Sequence, residues 1–208
     1  MSVLGTHLAE VIRRHAHELF SRQDTKKMLD RVTEENPKIV EDLVPKLLPA
    51  SLLQRVLQNL LRERVSIRDS VSILEALSEA AQITKNHVLL TEYVRQSIRR
   101  MIVRPYLNAG GELSAFFLDP ALEQALESSL EHSEQASQLN LPPHRVRDIV
   151  DRIGRAVGKP DAPAIVLASS PARFFLRQMV EPSLRNVQVL AHGEVPPGIK
   201  VVSLGVIG

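Results

Sequence analysis

The feature that most constrains this chain is Ala164-Ile165-Val166-Leu167-Ala168, an unbroken apolar run between Pro163 and Ser169-Ser170-Pro171. Five residues without polar alternation read as a short buried strand. A helical stretch over 171–181 follows, then a second run, Val187-Gln188-Val189-Leu190, and a third from Ile199 to Val206. Strand, helix, strand at this spacing predicts a parallel βαβ crossover.

The chain before this crossover has a different rhythm. Leu4, Leu8, Val11, Ile12 and Leu19 recur at helical spacing, with Thr6 near the start and Arg13, Arg14 and His17 on the opposite face. A helix entering at the first residue reads as the end of something larger. Asp24 can cap a second helix that Asn36-Pro37 ends. Ser51 to Arg64 is helical, with Leu52, Val56, Leu57, Leu60 and Leu61 inward. Ser66, three residues before Asp69, resembles a capping box opening the next helix, which buries Val71, Leu74 and Leu77. Thr84 can cap another from about His87 to Ile102. Met101–Leu107 and Leu113–Leu118 flank Asn108-Ala109-Gly110-Gly111, which predicts a β-hairpin. Asp119-Pro120 and Pro142-Pro143 each open a helix. The expected fold is therefore α+β: a helical subdomain, then a small α/β subdomain whose mixed sheet joins the hairpin to the crossover strands. The expected divisions are 1–20, 21–104 and 105–208.

Composition narrows the chemistry. The 208 residues carry no Trp and only five Phe and two Tyr, so the core must be built from Leu, Ile, Val and Ala. With 26 basic and 24 acidic residues, net charge alone does not indicate a polyanionic partner. The lack of cysteine removes disulfides, thiolate metal sites and cysteine nucleophiles. No apolar run approaches the ~20 residues needed to span a bilayer. Met1-Ser2-Val3-Leu4 lacks the charged and apolar regions of a signal peptide.

No motif here carries catalysis. Gly154-Arg155-Ala156-Val157-Gly158-Lys159 has three residues between its glycines where a phosphate loop needs four, and Pro160 follows the lysine. A helix C-cap at Gly158 is the better reading. His15 and His17 are two apart and diverge on a helix, and the other histidines are scattered, so neither a metal site nor a cofactor is implied. Ser169-Ser170 precedes a proline and reads as a helix cap. One rival function has some support: helices at about 51–64, 68–80 and 86–102 before a hairpin have the order of a winged helix, with Arg95, Arg99, Arg100 and Arg104 available to nucleic acid. Glu92, Glu112, Asp119 and the acidic series Glu123, Glu127, Glu131, Glu134 oppose it.

A long ordered signature goes further. Thr6-His7-Leu8-Ala9-Glu10-Val11-Ile12-Arg13-Arg14-His15-Ala16-His17-Glu18-Leu19, Leu43-Val44-Pro45-Lys46-Leu47-Leu48 and Val56-Leu57-Gln58-Asn59-Leu60-Leu61 come first. Val65-Ser66-Ile67-Arg68-Asp69, Ile73-Leu74-Glu75-Ala76-Leu77 and Leu90-Thr91-Glu92-Tyr93-Val94-Arg95 follow. Together they resemble the C-terminal cytoplasmic part of the FlhA family of flagellar type III export gates, over essentially the whole chain. Injectisome export gates share Val-Ser-Ile-Arg-Asp and Thr-Glu-Tyr-Val-Arg and are the near alternative.

The resemblance implies the tail of a first cytoplasmic subdomain, then a third and a fourth, in a protein anchored to the bacterial inner membrane. It implies a non-enzymatic platform, expected to form a nonameric ring. Export chaperones with their cargo, the export ATPase complex and the substrate-specificity switch protein would meet there. Thr6 would match a chaperone-binding position. Arg68, Asp69, Glu75, Glu92 and Arg95 would lie at the ring contact, and reversing the charge of Arg95 would impair assembly without unfolding the monomer. Membrane anchoring would raise the effective concentration of such a contact.

Overall fold

A computed structural model describes residues 3–158 and 163–208. The chain forms two compact units, residues 1–98 with 134–136, and residues 99–133 with 137–208. Lys159 and Pro160, part of the phosphate-loop comparison, lie outside the described residues.

The first unit is helical. It contains α1 (Val3–Arg14), α2 (Ala16–Leu19), α3 (Arg22–Glu35), α4 (Pro37–Leu43), α5 (Ala50–Arg62), α6 (Ser70–Ala80) and α7 (His87–Ser97). The caps differ from expectation in ways the side chains explain. Ser21 is the N-cap of α3: its hydroxyl accepts from the Asp24 N–H at 3.2 Å, and the Asp24 carboxylate accepts from the Ser21 N–H at 3.0 Å. The Ser21 hydroxyl also donates to Asp24 at 2.6 Å, and this bond, with that from the Ser21 N–H, holds the Asp24 carboxyl below its ordinary range. Asp69, not Ser66, caps α6, accepting from the Ser72 N–H at 3.2 Å. Asn86, not Thr84, caps α7, while the Thr84 hydroxyl accepts from the Asn86 N–H at 3.1 Å. Leu53, Val56, Leu57, Leu60, Ile73, Leu74, Leu77, Leu90 and Val94 form the interior.

The second unit begins with α8 (Arg99–Val103) and a 3-10 turn, Arg104–Tyr106. Then come β1 (Leu113–Leu118), α9 (Pro120–Glu127), β2 (Leu130–His132), β3 (Ser137–Leu139) and α10 (Pro143–Val157). β4 (Ala164–Ala168), α11 (Ser170–Val180), β5 (Val187–Ala191) and β6 (Val201–Ile207) complete it. The sheet order is β5-β4-β1-β6 and every pairing in it is parallel. The crossover from β4 through α11 to β5 forms as the sequence predicts, pairing Ala164 with Val187 and Ala168 with Ala191.

The expected hairpin does not form. Met101–Val103 is helical, Pro105 sits in the 3-10 turn, and only a bridge between Leu107 and Leu113 remains. Pro has no N–H to give a ladder. Asn108 still makes the turn, its side chain accepting from the Gly110 and Glu112 N–H groups at 2.9 Å each. β1 instead lies between two crossover strands. The α+β class stands, and both strand directions occur, but the antiparallel pair is a separate ladder between β2 and β3. Without its wing, the winged-helix reading loses the element that suggested it.

The core between this sheet and its helices joins Leu118, Val166, Ala168, Val187 and Val189 to Leu126, Ile149, Ile153, Ala172, Leu176 and Val180. Gly158 ends α10 with φ 66°, so it does close that helix.

Candidate functional site

The helical unit carries the residues expected at a ring contact. A polar seam runs between α5 and α7. Asn59 and Glu63, one helical turn apart, meet His87, Thr91 and Arg95, each a turn further along α7. Arg95 Nη1 donates to Glu63 Oε2 at 3.1 Å, with the two side chains 2% and 6% exposed. Asn59 Nδ2 donates to Thr91 Oγ1 at 3.1 Å, and Asn59 Nδ2 lies 3.4 Å from His87 Nδ1. Thr91 Oγ1 donates to the His87 carbonyl at 2.7 Å. Burial, then the nearby Arg55 charge, pushes the His87 pKa below its ordinary value.

This geometry divides the five expected ring-contact residues. Arg68 and Asp69 are exposed at the start of α6. Glu75 is exposed farther along α6, and Glu79 is exposed one turn on. Glu92 is half-buried on α7. Arg95 points inward and is held by Glu63, which corrects the expectation that its charge could be reversed without unfolding the monomer. A reversal would place two carboxylates in one buried site. Among the exposed residues, Asp69 already has an internal task as a cap.

Thr6 is exposed on α1, on a helix that also exposes Leu8, Val11 and Ile12. α1 is tied to the end of α5 by an ion pair of 2.8 Å between Glu10 and Arg64. Arg99, one of the arginines of the winged-helix reading, donates to the Gly193 carbonyl at 3.5 Å within the second unit. Ser169 occupies the N-cap position of α11, but its side chain makes no capping bond.

The sequence reading places Arg95 beside Glu92 at the ring contact and so passes over the seam. Its signal was the polar series 59/63 and 87/91/95 at a four-residue period, falling on the arc that also carries Val88, Leu90 and Val94. A polar stripe within an apolar arc marks paired burial.

The fold places this chain among two-unit α+β proteins, a helical unit followed by one built on a parallel sheet. It belongs to the FHIPEP family, whose family model matches residues 1–200. It is 34% identical over 213 residues to the flagellar biosynthesis protein FlhA of Bacillus subtilis, covering 99% of this chain and 31% of that protein. Among solved structures it resembles Chlamydia pneumoniae CdsV in a complex of CdsV and CdsO, with TM-score 0.92 and 28% identity over 99% of this chain and 61% of that one. It also resembles the nonameric EscV cytosolic domain from the type III secretion system, with TM-score 0.85 and 29% identity over 99% of this chain and 61% of that one. The chain thus spans under a third of the FlhA relative's length.

Proposed function

We propose that this chain is the C-terminal cytoplasmic part of a flagellar export gate, a docking platform at the inner membrane that performs no covalent chemistry. The observation that carries this reading is the 34% identity to FlhA across 99% of the chain. In this reading the chain works as one sector of a nonameric ring, a state supported by the nonameric EscV relative. Export chaperones with their cargo, the export ATPase complex and the substrate-specificity switch protein are its partners. Complex formation by CdsV with CdsO supports the view that this region of the family meets further components. Residues 1–20 close a first subdomain, 21–104 form a third and 105–208 a fourth. Thr6 contributes to chaperone docking. The ring contact falls to the exposed Arg68, Asp69 and Glu75 with Glu92 at its margin.

A tagged chain used as bait in lysate from a flagellated bacterium tests the docking reading. Enrichment of flagellar chaperones or export ATPase components is expected, and enrichment of neither overturns docking by this chain. A second reading, a virulence secretion gate, is favoured by the likeness to EscV; preferential capture of injectisome chaperones would select it. Glu75→Lys tests the ring contact: assembly of the membrane-anchored protein should fall while the isolated chain keeps its melting temperature. Unchanged assembly removes Glu75 from the contact.

A further inference from the structure

The two ends of the parallel sheet differ. β5 closes one side with all five residues buried. β6 closes the other with Ser203 exposed, Leu204 52% exposed and Val206 64% exposed. Among the described residues, no hydrogen bond reaches β6 from the side away from β1. An open edge is a row of backbone donors and acceptors ready for another strand, and proteins usually blunt it with charge or proline. β6 reads Val201-Val202-Ser203-Leu204-Gly205-Val206-Ile207 and has neither. Its one irregularity is a bulge opposite Ala115/Phe116, where Gly205 takes φ +147° beside the Phe116 ring. The bulge divides the edge into two short ladders without closing either.

The direction of the backbone groups follows from two bonds. The Lys200 carbonyl accepts from the Leu113 N–H at 2.9 Å, and the Ile207 carbonyl from the Asp119 N–H at 2.8 Å. In a parallel ladder the N–H and C=O of one residue point to the same side and successive residues alternate. Val201, Ser203 and Val206 therefore turn their backbone groups away from β1.

We propose that β6 is a docking edge for an extended, uncharged segment of another protein, apolar at alternate positions, which adds a fifth strand to the sheet. A second extended backbone matches the spacing of the groups of Val201, Ser203 and Val206 and can bond them in series. Leu204 and Val206 supply apolar contact. The neighbouring charge, Lys200, is held by Glu112 at 2.6 Å, so nothing on the edge selects a charged segment. Area argues against a second copy of this chain. Two short strands meeting edge to edge bury on the order of a few hundred Å², below the roughly 1,000 Å² that stable contacts between folded proteins clear. A flexible segment that becomes extended on binding can add side-chain contacts on the faces beside β6 to those main-chain bonds, which a folded copy offering only its own edge does not.

The test is a fluorescence-anisotropy titration of the full chain into a labelled peptide of the sequence Val201–Ile207, carrying a lysine beyond each end. A matched peptide N-methylated at alternate residues serves as the control. Saturable binding is expected, weakened at least tenfold by N-methylation. Val206→Pro should weaken it similarly, since it deletes an outward N–H and leaves the β1 ladder intact. Leu204→Lys should weaken it less. Equal binding of the two peptides, or no saturable binding, overturns the proposal. So does self-association of the chain that Val206→Pro abolishes, which would make the occupant a second copy. Should Val206→Pro fail to fold, the comparison of the two peptides decides alone.

Discussion

The two units place their buried polar groups in different surroundings. In the helical unit an ion pair and an amide–hydroxyl bond lie in series between α5 and α7. In the α/β unit the cluster from Leu118 through Ile153 to Val180 is apolar, and the buried charges beside it bond the backbone: Arg173 donates to the Val189 carbonyl at 3.3 Å and Glu194 accepts from the Ala191 N–H at 2.7 Å. The difference follows from where each unit gets its register. In the sheet the backbone ladder holds β4 beside β5, and the apolar residues buried on its faces choose the register that sets Ala164 opposite Val187. Two helices have no backbone bonds between them. Paired polar groups one turn apart can fix their sliding and rotation, at some cost in desolvation.

The sharpest way to break this comparison is to remove one partner of the seam. Arg95→Met leaves Glu63 buried without its guanidinium and should destabilise the helical unit by about 3–5 kcal/mol. The double change Arg95→Met, Glu63→Leu should recover most of that, because a well-packed apolar pair often equals a buried ion pair. Urea unfolding of the three proteins checks this. If the single change costs under about 1 kcal/mol, the pair is solvated and the contrast between the units collapses. A smaller loss is expected at the start of α7. Asn86→Ala removes the acceptor for the Val88 N–H, 3.0 Å away, and should cost about 1–2 kcal/mol. Asp69→Ala, an exposed cap, should cost less and so separates burial from capping.

The legibility of the chain follows the same division. β4, α11 and β5 could be read directly, because an apolar run only five residues long between Pro163 and Pro171 is too short for a buried helix. The helices of the first unit were legible from their apolar period, and their ends only to within a few residues. Caps compete locally: Ser66 and Asp69 both suit α6, and the choice depends on which backbone N–H lies within reach. The hairpin expectation fails because Leu113–Leu118 has strand character whichever neighbour it pairs with. Its actual neighbours, β4 and β6, are 50 or more residues away along the chain. The polar pair β2 and β3 has too little apolar pattern to register at all. At the candidate assembly surface, residue types alone could not separate the exposed Glu75 from the buried Arg95.

In the apolar core the expected effects are smaller per change. Ile153→Val deletes one methyl and should cost about 0.5–1.5 kcal/mol. Its effect should depend little on pH, since Ile153 packs among apolar residues such as Leu126, Ile149 and Leu176. If the loss varies with pH, the two units are not as different as their interiors suggest.

The smallest effect is expected from His87 and concerns pH. Burial lowers its folded-state pKa, so above about 6.5 both states carry a neutral ring and the seam has its full stability. As pH falls below that value the unfolded chain takes up the proton first, and stability declines until the folded-state pKa is passed. Protonation would also put a hydrogen on Nδ1, which faces the Asn59 amide at 3.4 Å. The chain has seven histidines, so the signal must be read as a difference. Urea midpoints of the natural chain and His87→Gln, compared at pH 7.5 and 5.5, supply it. The natural chain should lose more on acidification than the variant. An equal loss in both would mean that His87 titrates as it does in water, and would leave Asn59, Thr91, Glu63 and Arg95 as the whole of the buried seam.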